Sequence, residues 1–256
     1  MKPQLSFFLL LLLTATAMPG VAQENANLMT TDEGEVRQIP RWLMEFSNLP
    51  RETRSRYINT FNQAKQAYRD GRWVDCIALL VECEVIQRGN PGVWNLRASC
   101  LMEQKYFDEA AVELERVLQQ EPDNQVALMN LANMHMACGR YTESLRLLAE
   151  LKEMLPYETQ QEVLNVLDFR ALLCHLMQGK EASARALVQH LTPMSDTPLY
   201  YYSRAAFALA QNDISTADYC QRVASQIFAS NHATEPYRRA LELSGLNAGK
   251  RPAPAN

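Results

Sequence analysis

Gly92-Val93-Trp94-Asn95-Leu96-Arg97-Ala98, then Tyr106-Phe107-Asp108-Glu109-Ala110, then Glu121-Pro122-Asp123-Asn124: these segments decide the fold. The first reads as an apolar helix opened by Trp94 and Ala98. The second reads as another helix opened by Phe107 and Ala110, and Pro122 breaks the chain after it. The pattern recurs every 34 residues: Trp73, Phe107 and Tyr141 stand in register, as do Gly71, Lys105 and Gly139, Leu80, Leu114 and Leu148, and Pro122 and Pro156. A sustained period of this length marks a helix-turn-helix unit that cannot bury its apolar face alone and must stack on its neighbours. Each position has a physical role. Gly71 and Gly139 end a first helix where a left-handed residue is cheapest for glycine. The aromatic that follows fills the gap between the two helices. The small residue three positions on (Cys76, Ala110, Ser144) lets them approach closely.

These residues resemble the tetratricopeptide-repeat (TPR) family over roughly residues 55–245. The match is firmest where Trp94, Ala98, Phe107, Ala110 and Pro122 are followed by Leu128, Leu131, Ala132, Gly139, Tyr141 and Pro156. The resemblance implies an all-α, right-handed α-solenoid of about five repeats with capping helices at both ends. The repeats fall at 57–90, 91–124, 125–158, 159–197 and 198–232. The first is degenerate, with Ala64, Gly71, Trp73 and Cys76 but Arg88 where proline would stand. The fourth has a longer first helix, Gly179 in its turn and Ala184 at the small position, about six residues out of register. The fifth is carried by Tyr201, Ala205, Asn212, Ala217 and Ala224. A helix over 235–243 reads as a polar-faced C-terminal cap.

Outside the repeats, Lys2, an apolar run over 7–13 and the small residues Gly20-Val21-Ala22 have the three-part layout of a secretory signal over 1–22, cut near Ala22. The apolar run is too short for a spanning helix, which needs about 20 residues. Export to the periplasm or extracellular space is expected, with membrane contact only through the signal, although retention as an anchor is the competing reading. Residues 23–50 read as a flexible acidic leader with a short helix around Trp42. The repeat region occupies 51–245, and a loose tail 246–256.

The formal net charge of -4 over 256 residues, with scattered Lys and Arg, offers no basic footprint for nucleic acid. None of HExxH, GxSxG, a P-loop or a dinucleotide-binding glycine cluster occurs, so no enzyme activity, cofactor or metal is expected. His135 and Cys138, three apart on one helix, and adjacent Cys174 and His175 read as packing rather than as a thiol nucleophile or metal site. The six cysteines contain no CxxC. They read as small apolar packing residues or, in an oxidising compartment, as holding a disulfide, for which Cys83 with Cys100 is the expected pair.

The resemblance also implies where a ligand would bind, since the first helix of each repeat lines the concave side. The groove residues are then Lys65, Arg69, Asn95, Ser99, Met102, Met129, Asn133 and Met136, polar in the first half and Met-rich in the second. Leu173, Leu176 and Met177 are open between groove and core. Asn95 and Asn133 are open between peptide contact and a solvated face. The clamp that grips a C-terminal carboxylate in some family members is not matched, because Phe61 and Leu96 stand at its positions. The expected function is a non-catalytic scaffold that binds an unidentified protein or peptide in this groove. Self-association into a homo-oligomeric envelope or secretion component is the alternative.

Overall fold

Five turns of the chain share one hydrogen-bonding pattern, and that pattern builds the protein. At the first, Gly71 (φ +74°) follows the end of a helix; the Gly71 amide donates to the Tyr68 carbonyl at 3.1 Å and the Arg72 amide to the Ala67 carbonyl at 2.9 Å. This pair of bonds satisfies carbonyls that the helix end would leave open. The pattern returns at Gly139 (φ +77°) and Gly179 (φ +74°), where Arg140 reaches the His135 carbonyl at 2.8 Å and Lys180 the His175 carbonyl at 2.9 Å. Lys105 and Asn212 occupy the same position, both at φ 65°.

The computed structural model describes residues 28–30, 36–38, 40–155, 161–229 and 231–249. The signal segment 1–22 with its cleavage point at Ala22, Pro156 and residues 250–256 lie outside the described residues. The described helices are α1 (Arg41–Ser47), α2 (Arg51–Arg69), α3 (Trp73–Ile86), α4 (Pro91–Glu103), α5 (Phe107–Gln120), α6 (Gln125–Ala137), α7 (Tyr141–Met154), α8 (Gln161–Met177), α9 (Glu181–Val188), α10 (Pro198–Ala210), α11 (Ile214–Ile227) and α12 (Asn231–Ser244). The fold is of the all-α solenoid class, with α2/α3, α4/α5, α6/α7, α8/α9 and α10/α11 as its helix pairs. Within the stretch read as a flexible leader, Leu28–Thr30 (β1) pairs antiparallel with Val36–Gln38 (β2). The tail expected from 246 starts with an ordered 3₁₀ turn, Leu246–Ala248, whose Leu246 is buried.

Helix starts are marked by side-chain caps. The Asn90 Oδ1 accepts from the Gly92 amide at 2.8 Å, with Pro91 opening α4, and the Asn124 Oδ1 accepts from the Ala127 amide at 2.9 Å. Thr197 does the same for α10 ahead of Pro198. Such caps satisfy the orphan amides of the first turn. The small-residue positions hold: Cys76, Ala98, Ala110, Ala132, Ser144 and Ala184 are all buried. Trp73 sits against Tyr68 across the first turn, ring centroids 5.1 Å apart. Trp94 is buried, Phe107 and Tyr141 are partly buried, and Pro122 is exposed in its turn.

The described chain divides into two compact units, one ending at Gln120 and one beginning at Glu121. In the N-terminal unit, α1 closes the open end of the first repeat. The Gln87 amide donates to the Trp42 carbonyl at 3.2 Å, and Phe46 packs on Tyr57 with centroids 5.1 Å apart. Arg97 binds Glu84 and Glu113, Trp94 donates to Glu84 at 2.8 Å, and the Arg116 guanidinium lies 4.4 Å from the Trp94 ring centre. This network ties α3, α4 and α5 together. The core of the C-terminal unit gathers Met136, Phe169, Leu172, Leu173, Tyr202 and Tyr237.

Candidate functional site

The first helices of the repeats differ between the two units in what covers them. In the N-terminal unit, α2 buries Tyr57, Thr60, Ala64 and Ala67 at helical spacing. Phe61, Lys65, Tyr68 and Arg69 turn away from that face and are partly exposed, and Ile58 is 49% exposed. Phe61 leans toward the start of α4, where a Cβ on Gly92 would lie 3.6 Å from its ring. The Lys65 ammonium stands 5.1 Å from the centre of the Phe61 ring. Burial, and then the charge of Arg69, push the Lys65 pKa below that of a free lysine. The Arg69 Nε is buried and has no hydrogen-bond acceptor among the described residues. From α4, Ser99 and Met102 are partly exposed, and the Ser99 hydroxyl donates to the Asn95 carbonyl at 3.0 Å.

Asn95 corrects one expectation: it is 3% exposed and belongs to the interior of the helix pair. It reads as a groove residue by position, but it lies on a helix buried over Val93, Trp94, Leu96 and Ala98 as well.

In the C-terminal unit the corresponding face is covered by the chain itself. Helix α12 packs on α6, α8 and α10, the first helices of three successive repeats, and meets α11 less extensively. The polar-faced end cap expected over 235–243 is therefore an amphipathic helix laid across these first helices. Tyr237 stacks on Tyr202 at 5.4 Å and tilts on Phe169 at 5.3 Å, and its hydroxyl is hydrogen-bonded with Thr197. Burial pushes the Tyr237 pKa up to about 12. Ala240 and Leu241, the next turn of the same face, are fully buried.

Two groove assignments fall as a result. Met136 is buried in this core, and Asn133, 5% exposed, accepts a 2.9 Å hydrogen bond from the Arg170 Nε. Arg170 is itself 1% exposed, and burial lowers its pKa to about 10. Asn133 thus serves an internal cation. Met129 stays partly exposed. Leu173, Leu176 and Met177 are core. The helix α12 was expected, but its place was not. The signal for that place was the apolar spacing Tyr237, Ala240, Leu241, which marks one buried face.

Cys138 is exposed at the end of α6, while burial lowers the pKa of both His135 and His175. The Cys174 thiol donates to the Ser144 hydroxyl at 3.5 Å, and burial raises its pKa to about 11. Among the described residues, no group of three His, Cys, Asp or Glu side chains is placed to hold a metal ion. The expected facing of Cys83 and Cys100 is also corrected. All six cysteines are free thiols, and Cys100 is hydrogen-bonded with Cys76. Cys83 lies seven residues further along α3, where it is fully buried and acts electrostatically on Tyr57 of α2.

A run of helix pairs joined by one recurring turn defines a class, and comparison with known proteins agrees. The tetratricopeptide-repeat family model matches residues 101–160. The chain has the fold of a thermophilic TPR protein of Thermus thermophilus, with a TM-score of 0.55 at 15% identity, covering 73% of this chain and 98% of that one. A TPR protein of Parabacteroides merdae aligns at a TM-score of 0.42 and 17% identity, over 79% and 88% of the two chains. Cellulose synthase operon protein C of Pseudomonas fluorescens is 30% identical over 93 residues, 36% of this chain, and the chain spans only 7% of that relative's length. Residues 101–160 are thus tetratricopeptide repeats, and the described helix pairs have the TPR solenoid fold. Proteins built this way in general mediate protein–protein interaction. No described helix is long and apolar enough to cross a membrane.

Proposed function

We propose that the chain is a non-catalytic protein-interaction module that takes a carboxylate-bearing segment of a partner on the α2/α4 face of its N-terminal unit. One observation carries this reading: Arg69 sits one turn from Lys65 and presents a buried Nε with no acceptor among the described residues. A buried donor left without a partner costs roughly 1–3 kcal/mol, and a carboxylate from a ligand would relieve it. Phe61, Ser99 and Met102 supply aromatic, hydroxyl and adaptable apolar surface around the cations. The face of the C-terminal unit is less suited, since α12 already occupies it.

The secretory layout of residues 1–22 supports export to the periplasm or to the space outside the cell. The match to a cellulose synthase operon protein covers too little of that relative to support more than a shared repeat. A photo-crosslinking residue at Met102, used in the native cell, tests the face. A crosslinked partner that disappears in the Lys65→Glu/Arg69→Glu double variant agrees with the reading. The same partner at the same yield in that variant refutes it.

A second reading, self-association, rests on α3. Val74, Val81 and Val85 are 71%, 50% and 80% exposed and, with Ala78, are spaced 4-3-4 along one side of that helix. This is the spacing of a helix-pairing seam. Light scattering decides: a monomer at high concentration rejects it.

A further inference from the structure

The packing of α3 on α4 brings two thiols together. Cys76 and Cys100 are both fully buried and are hydrogen-bonded with each other. The repeat itself supplies an independent measure of this contact. Ser144 stands two periods of 34 after Cys76, and Cys174 occupies the place of Cys100 once the six-residue lengthening before Gly179 is allowed for. There the Cys174 sulfur and the Ser144 hydroxyl oxygen are 3.5 Å apart. The packing of a second helix on the next first helix thus brings γ-atoms at these two positions into contact. In the intervening repeat the equivalent sequence positions hold Ala110 and Met134, neither of which can form a disulfide. Only between the first and second repeats are both positions cysteine.

We propose that Cys76 and Cys100 are a disulfide site that staples the first repeat to the second, oxidised by thiol–disulfide exchange with a small-molecule or protein disulfide. The Cys76 thiolate attacks one sulfur of the oxidant and releases one thiol. The Cys100 thiolate then attacks the Cys76 sulfur of the mixed disulfide and releases the second. Two protein thiols and one oxidant disulfide become one protein disulfide and two oxidant thiols. Both cysteines are buried in the folded pair, so exchange takes place while the second repeat is closing on the first. The bond constrains the segment that links them in the unfolded chain.

The test uses the full chain without its signal segment, refolded from reduced denaturant in a glutathione buffer and then alkylated. The expected product has lost two hydrogens in intact mass, yields one crosslinked peptide joining Cys76 to Cys100, and melts roughly 10 °C above its reduced form. Cys83→Ala keeps the crosslink. Cys76→Ala, which copies Ala110 at the equivalent position and so preserves the fold, abolishes both the crosslink and the effect of reductant. Full alkylation of Cys76 and Cys100 after refolding overturns the proposal, as does a crosslink joining Cys100 to Cys83.

Discussion

Tyr237 and Tyr202 stack with their ring centres 5.4 Å apart and their planes 27° from parallel. Tyr202 belongs to the first helix of the last repeat and Tyr237 to the helix that follows the repeats. Their contact means that the C-terminal unit fills its own first-helix face, and the stability of that unit depends on the filling.

Replacing Tyr237 with alanine is therefore expected to cost about 3–5 kcal/mol, the range for truncating a buried aromatic. Tyr237→Phe keeps the ring contacts and loses only the hydrogen bond with Thr197, for about 1 kcal/mol. Urea unfolding of both variants measures the difference. Equal losses would mean that the rings contribute little.

Asn133 and Arg170 make a second internal pair, with the guanidinium buried and the amide oxygen accepting at 2.9 Å. Asn133→Ala takes an acceptor from a buried cation and is expected to cost about 1.5–3 kcal/mol. Arg170→Met removes the cation with its desolvation penalty and is expected to cost less than Asn133→Ala. The reverse order in unfolding midpoints would show that Arg170 is held mainly by its packing.

The shared turn gives a paired prediction. Gly139→Ala places a Cβ at φ +77° and is expected to cost about 1–2 kcal/mol. Lys105→Gly relieves the same strain at φ 65° and is expected to be neutral or mildly stabilising, because glycine also loosens the unfolded chain. Thermal unfolding of the two single variants checks both signs.

Alkaline pH acts through buried thiols. Burial holds the native pKa of Cys83 up to about 12 and of Cys174 up to about 11, and Cys100 is also raised, whereas its partner Cys76 is lowered. The unfolded chain releases the Cys83 and Cys174 protons first, near the ordinary thiol pKa of about 8.5, so it binds fewer protons than the native state. Stability is thus full below that value and falls as pH rises from there toward the native pKa values. Urea midpoints at pH 7, 8.5 and 9.5 should decline in that order, with a shallower decline in Cys83→Ala/Cys174→Ala. An unchanged slope in the double variant would assign the decline to other groups.

What the sequence determined by itself is the repeat. Trp73, Phe107 and Tyr141, with the glycine register before them, are local signals, because turn conformation and helix-pair packing act within a span of 34 residues. Even Lys105 falls at the turn by register, although it is not glycine, and Asn212 takes the same conformation one residue short of the register. Among the groove residues, Lys65, Arg69, Ser99, Met102 and Met129 kept some exposure, because their outward direction follows from helix phase alone. Asn133, Met136 and the partner of Cys100 did not follow from phase. Exposure and pairing there depend on which distant helix arrives, and only the tertiary structure brings α12 onto α6, α8 and α10 and Cys76 onto Cys100. Apolar burial is non-directional, so an amphipathic helix after the last repeat reads the same whether it caps the end or folds back. The chain folds it back, whereas the α2/α4 face keeps Phe61, Lys65, Ser99 and Met102 partly exposed among the described residues.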